Sequence, residues 1–259
     1  MSDPEDELAG TEQPFVAHLV ELRDRLIKAM LAVGAVALVL FFWPGPGALY
    51  DVLAAPLVAN LPKNATLIAT SVISPFLVPL KILLMTAFLI ALPVVLYQAW
   101  AFVAPGLYTH EKKLVLPLVI SSTVLFFIGV GFCYFFVFGQ VFKFIQSFAP
   151  KSITAAPDIE AYLSFVLTMF IAFGLAFEVP IVVVVLARLG VVSTDKLKQY
   201  RGYFIVVAFV IAAVITPPDV VSQLALAVPM CLLYEVGIWA AQIFIRHTQA
   251  PEETAATAK

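Results

Sequence analysis

The chain has 259 residues, 62% of them hydrophobic and 12% charged, with a mean hydropathy of +1.01. That composition excludes an ordinary soluble domain, because lipid rather than a small core must cover so much apolar surface. A net charge of -2 gives no electrostatic basis for binding nucleic acid.

Residues 1–13 carry Asp3, Glu5, Asp6, Glu7 and Glu12 without one base, which predicts a disordered acidic tail rather than a cleaved signal peptide. Residues 14–245 read as one transmembrane domain. It opens with His18, Glu21, Arg25 and Lys28 at spacings of three and four, beside an apolar stripe of Leu19, Leu22 and Leu26. This is the pattern of an interfacial helix feeding a first span over 27–42. The stretch 43–74 holds Pro44, Pro46, Pro56 and Pro62 among apolar residues and predicts a folded extracytoplasmic cap with short helices. After a second span over 77–102, the ten-residue joint FVAPGLYTHE, 102–111, sets Glu111 beside Lys112 and Lys113 at the membrane edge. A third span covers 114–138. A second extracytoplasmic cap is expected over 139–162, with Asp158 as the N-cap of a helix that continues into a fourth span over 163–186.

Two shorter apolar runs, 203–215 and 220–234, flank the turn Thr216-Pro217-Pro218-Asp219, whose prolines stop the first of them. Each reaches roughly 20 Å against about 30 Å of hydrocarbon, so they either thin the bilayer locally or form a re-entrant dip, and two short spans are expected. Residues 246–259 form a C-terminal tail. Under six spans, eleven of the fifteen Lys and Arg residues share one side and Lys63, Lys81, Lys143 and Lys151 take the other, which puts both termini in the cytoplasm. The expected class is an all-α membrane protein with six transmembrane helices, the last two short.

Acids are costly near lipid, so Glu21, Glu111, Glu178, Asp219 and Glu235 are where chemistry is sought first. Each also has an ordinary use. Glu21 can pair with Arg25 and Asp24 with Lys28, one helical turn on. Glu111, after Thr109, can meet the positive end of a helix dipole in the first turn of the third span. Glu178, inside the fourth span beside Pro180, must be protonated, hydrated or paired, either through a carbonyl freed by the proline or in a polar pocket. Thr216 and Gln223 can bond within the closing hairpin or to a partner's transmembrane helix, and Asp219 can cap the sixth helix. Gln98, Glu235 and Gln242 read as interfacial or buried polar glue. Cys133 and Cys231 lie in apolar runs without a CxxC or a nearby His cluster and read as packing residues. No Walker loop, HExxH, Ser/His/Asp or Cys/His constellation stands in the sequence, and there is no internal repeat, so no enzyme, cofactor or metal site is expected.

Five segments occur in a telling order: HLVELRDRL (18–26), SPFLVPLK (74–81), FVAPGLYTHE (102–111), YLSFVLTMFIAFGLAFEVP (162–180) and TPPDVVSQ (216–223). Together they resemble the TatC family, the receptor subunit of the twin-arginine protein translocase, over roughly residues 14–242. The resemblance implies a noncatalytic receptor in the bacterial cytoplasmic (inner) membrane that binds the paired arginines of export signal peptides and, with TatA- and TatB-like single-span subunits, exports folded proteins using the proton-motive force. It implies Glu21 and Glu111 as the arginine-binding acids, with Arg23, Phe102, Pro105, Leu107 and Tyr108 shaping the site. It also implies Glu178 in a concave hydrated pocket, Thr216 and Gln223 as partner-helix contacts, and self-association within the complex.

The physics suits that reading. Adjacent arginines in an extended peptide point to opposite faces, so two separated acids serve them better than one. A planar guanidinium paired to a carboxylate holds more tightly than a lysine ammonium. Six helices in a ring enclose a hole about 10 Å wide, while a folded domain is roughly 30 Å across, so one copy is no pore for folded cargo. The competing function is a proton-coupled small-solute secondary transporter with Glu178 as its coupling site, although such a transporter is expected to carry repeat symmetry.

Overall fold

The computed structural model of the chain describes residues 4–60, 68–103, 115–148, 158–216 and 219–256. Among the described residues there are helices and no strand, apart from one isolated parallel bridge between Ile68 and Asp158. Five helical stretches are long and apolar enough to cross a membrane, and a sixth apolar helix, Arg201–Ile215, is shorter. The chain divides into two compact units, Met1–Ala55 with Pro75–Ile120, and Pro56–Ser74 with Ser121–Lys259.

In the first unit, α1 (Pro4–Phe42) carries the apolar helical stretch Val16–Phe42, which contains the expected first span. The helix runs through the polar stripe His18–Glu21–Arg25, whose side chains interact with one another, into the apolar run. The backbone of residues 4–13, expected as a disordered tail, is helical in the structure. The connector after α1 carries α2 (Pro46–Asn60), and α3 (Ser74–Val103) then runs about 45 Å through Pro79 and Pro93. Val78, Ile82, Ala87 and Leu92 are among the deeply buried positions of α3.

The second unit is built on two helix pairings. The first joins α4 (Val115–Phe132), its π-helical continuation Cys133–Val137 and α5 (Phe138–Phe148) to α6 (Ile159–Phe177). The helix therefore continues past 138, where the third span was expected to end. The π-turn adds a residue to the ladder without breaking it, and the candidate span continues to Phe144. Asp158 caps α6 as the sequence predicts, its Oδ1 accepting from the N–H groups of Glu160 and Ala161.

After Glu178, α7 (Val179–Arg188) completes the stretch Ile159–Arg188. It ends at Gly190, whose φ of +71° lets Val191 N–H reach the Leu186 carbonyl and Gly190 N–H reach that of Ala187, a Schellman closure. The second pairing follows α8 (Thr194–Gln199): α9 (Arg201–Ile215) and α7 both pack along α10 (Val220–Ala256). Val183, Ala187, Leu197, Tyr234, Ile238 and Ala241 form its core. Gly237 allows a close crossing there, since a methyl group in its place would stand 2.9 Å from Pro180 Cα.

The expectation of a short sixth helix is corrected. The Tyr234 hydroxyl donates to the Leu197 carbonyl at 2.8 Å, and Glu235 is paired with Arg201 at 2.7 Å. With both satisfied, the helix continues and the candidate span is Val220–Ile243. The fifth helix, Arg201–Ile215, is short as expected.

Candidate functional site

At the head of the apolar part of α1, the Glu21 carboxylate faces Arg25 one turn later. Oε1 accepts from Arg25 Nε at 2.8 Å and from Nη2 at 2.6 Å. His18, a turn earlier, stands 3.9 Å from Oε2. The His18 ring stacks on Phe102 near the end of α3, with centroids 4.3 Å apart and planes 15° apart. Thus Glu21 and Phe102, two residues of the expected site, are linked through His18. Arg23 is two positions from Glu21, on a different face of the helix, and its guanidinium lies on Asp24 at 2.9 Å. Glu111, Pro105, Leu107 and Tyr108 lie outside the described residues.

Glu178 occupies the break between α6 and α7, 6% exposed. The Ser122 side chain of α4, itself fully buried, lies against the carboxyl, yet neither carboxyl oxygen has a hydrogen bond of good geometry from the protein. A buried carboxyl in that condition is energetically expensive and open to a further polar partner.

The α9–α10 turn uses its polar groups internally. Thr216 Oγ1 donates to the Ala212 carbonyl at 2.8 Å, and Gln223 Nε2 reaches the Phe209 carbonyl at a long 3.4 Å. Asp219 caps α10 as expected, accepting from Ser222 N–H at 2.7 Å and from its hydroxyl at 2.5 Å.

Comparison with known proteins gives these positions a context. A family profile described as Sec-independent protein translocase protein (TatC) matches residues 17–229. The chain belongs to the TatC family. A TatC relative from Halothiobacillus neapolitanus is 51% identical over 90% of the chain, which spans 63% of that relative's length. Those from Escherichia coli K12 and Haemophilus influenzae are 44% and 47% identical, with 93% and 90% of both chains covered. Two crystal structures of the twin arginine translocase receptor TatC, one in DDM, are 40% identical, with TM-scores of 0.75 and 0.76 over 87% and 86% of this chain and 98% and 99% of theirs. The stretch matched to the TatC family includes Glu21, Phe102, Glu178, Thr216 and Gln223 and stops short of Glu235.

Three residues now stand beside these that sequence reasoning did not assign to a site. The stack of His18 on Phe102 had a signal, since one lies in HLVELRDRL and the other opens FVAPGLYTHE, but no single-helix spacing relates them. Ser122 gave no signal, because its approach to Glu178 depends on the packing of α4 on α6. The same holds for Ser74, whose hydroxyl bonds Glu160 at 2.6 Å.

Proposed function

We propose that this TatC-family chain is the receptor and core scaffold of a twin-arginine translocase in the bacterial cytoplasmic membrane. It spans the bilayer six times with both termini in the cytoplasm and carries out no covalent chemistry. Glu21 and Glu111 bind the paired arginines of a signal peptide at the cytoplasmic face, with Phe102, Pro105, Leu107, Tyr108 and Arg23 around them. The observation that carries this reading is Glu21: its carboxylate already accepts two N–H donors from a guanidinium, beside an aromatic stack and within the stretch matched to the family.

Single-span partners of the TatA and TatB kind dock along α9 and α10 through Thr216 and Gln223. The long Gln223 bond supports this, since exchanging a 3.4 Å contact for a partner's group costs little. Glu178 offers a polar site at membrane depth to a partner helix, and the proton-motive force drives passage. The solute-transporter reading gains nothing from the family match.

The test is photocrosslinking from positions 21, 102 and 111 to signal peptides bearing two arginines or two lysines. An arginine-selective footprint is expected, diminished by Glu21→Ala and by Glu111→Ala. Undiminished capture in both variants would remove the proposed site, and solute uptake by the purified chain alone in liposomes would favour the transporter.

A further inference from the structure

The continuous helix from α4 through the π-turn to α5 runs antiparallel to α6 in a register that can be followed side chain by side chain. Phe142 meets Tyr162 and Phe165 at ring separations of 5.6 and 6.2 Å, Phe138 meets Phe165 and Phe170 at 5.9 and 5.6 Å, and Phe132 meets Phe173 and Phe177 at 5.9 and 5.8 Å. Each step back along one helix is matched by a step forward along the other. The series continues through Gly129 against Phe173, and Phe126 against Gly174, to Ser122 against Glu178.

The two glycines are interlocked. A methyl group at Gly174 would stand within 2.6 Å of three atoms of the Phe126 ring, which is 1% exposed. One at Gly129 would stand 2.5 Å from the Phe173 carbonyl oxygen and 2.9 Å from Phe177 Cγ. Each helix therefore lends the other a notch, and an added methyl requires a ring or the backbone to shift.

We infer that Phe126 and Gly174 are positioning residues, seating α4 on α6 so that the Ser122 hydroxyl is held against the Glu178 carboxyl. Ser122 stands one turn before Phe126, and Glu178 one turn after Gly174, so each pair shares a helix face. Helices are stiff over one turn. Pushing them apart at the Phe126–Gly174 level by the ångström that an added methyl demands carries Ser122 away from Glu178 by a similar amount, and polar contacts tolerate only tenths of that. The importance of this contact for transport rests on the reading of Glu178 as a working polar site.

The experiment uses the full chain in membranes with its partner subunits. Its readouts are export of a twin-arginine cargo, the amount of the chain in the membrane, and the infrared band of the Glu178 carboxyl, identified by its loss in Glu178→Gln. Ser122→Ala supplies the direction in which that band moves when the hydroxyl is removed. Gly174→Ala is expected to shift the band the same way and to lower export at least about tenfold while membrane amount stays within about twofold. Adding Phe126→Leu makes room for the new methyl and is expected to restore both band and export. An unmoved band in Gly174→Ala, or no restoration in the double variant, overturns the inference. Should Gly174→Ala fail to accumulate, Phe126→Leu alone loosens the seat without crowding it, and an unmoved band there is equally decisive. A band that shifts and returns as expected while export never changes leaves the seating intact and removes the functional reading of Glu178.

Discussion

The carboxylate of Glu21 is 37% exposed and paired with Arg25 within one helix, whereas Glu178 is 6% exposed, has no well-formed hydrogen bond and is held by packing between two helices. An exposed ion pair is worth little and is remade easily, so a group in that state suits capture and release of an incoming cation. A buried carboxyl carries a desolvation cost that only a rigid surrounding sustains, so it suits a contact that forms once, inside the membrane, with a partner of defined shape. Under the proposed function, recognition is assigned to the first region and assembly to the second.

The sharpest way to break this division is to neutralise each acid separately. Glu21→Gln keeps the shape and removes the charge. It should lower the affinity of the purified chain for a twin-arginine peptide by about ten- to a hundredfold, the value of a charge-assisted hydrogen bond. Glu178→Gln should leave that affinity within about twofold and still depress export. Fluorescence anisotropy with a labelled peptide separates the two, and equal losses of binding would erase the distinction between the regions.

A smaller effect sharpens the account of the exposed acid. Arg25 occupies Glu21 Oε1, so under the proposed function signal capture would exchange one guanidinium for another. Arg25→Ala should then tighten peptide binding by no more than about fivefold, the upper range for an exposed pair. Weaker binding in that variant would show instead that Arg25 holds Glu21 in its working rotamer.

The exposed acid was legible in the sequence and the buried one only half so. Helical spacing alone predicts the Glu21–Arg25 pair and the Asp158 cap, because both are settled within one turn of their own helix. The depth of Glu178 was equally plain from the apolar run around it, but Ser122 was not. That approach depends on two glycine notches in different helices, and single-helix periodicity carries no information about register between helices. The sixth helix was misjudged for the same reason. Its apolar run ends at Tyr234, and the bonds from Leu197 and Arg201 that satisfy Tyr234 and Glu235 come from another part of the chain.

Asp158 is a third carboxylate and separates charge from exposure as the variable that matters. Its Oδ2 accepts from the Thr70 hydroxyl at 2.6 Å and from Thr70 N–H at 3.1 Å, while Oδ1 caps α6. The Thr70 hydroxyl and the N–H groups of Ala161, Thr70 and Glu160 stabilise the charged form and hold its pKa at about 2. A depressed carboxyl pKa stabilises the fold above the ordinary range near 4, and that contribution is lost as pH falls through the folded value. Asp158→Asn keeps a capping oxygen but cannot titrate. The melting temperature of the native chain should therefore exceed that of the variant by a constant margin down to about pH 4, and the margin should close toward pH 2. A margin that persists unchanged to the acid end would mean that Thr70 is held by packing and that the charge on Asp158 contributes nothing to anchoring the start of α6.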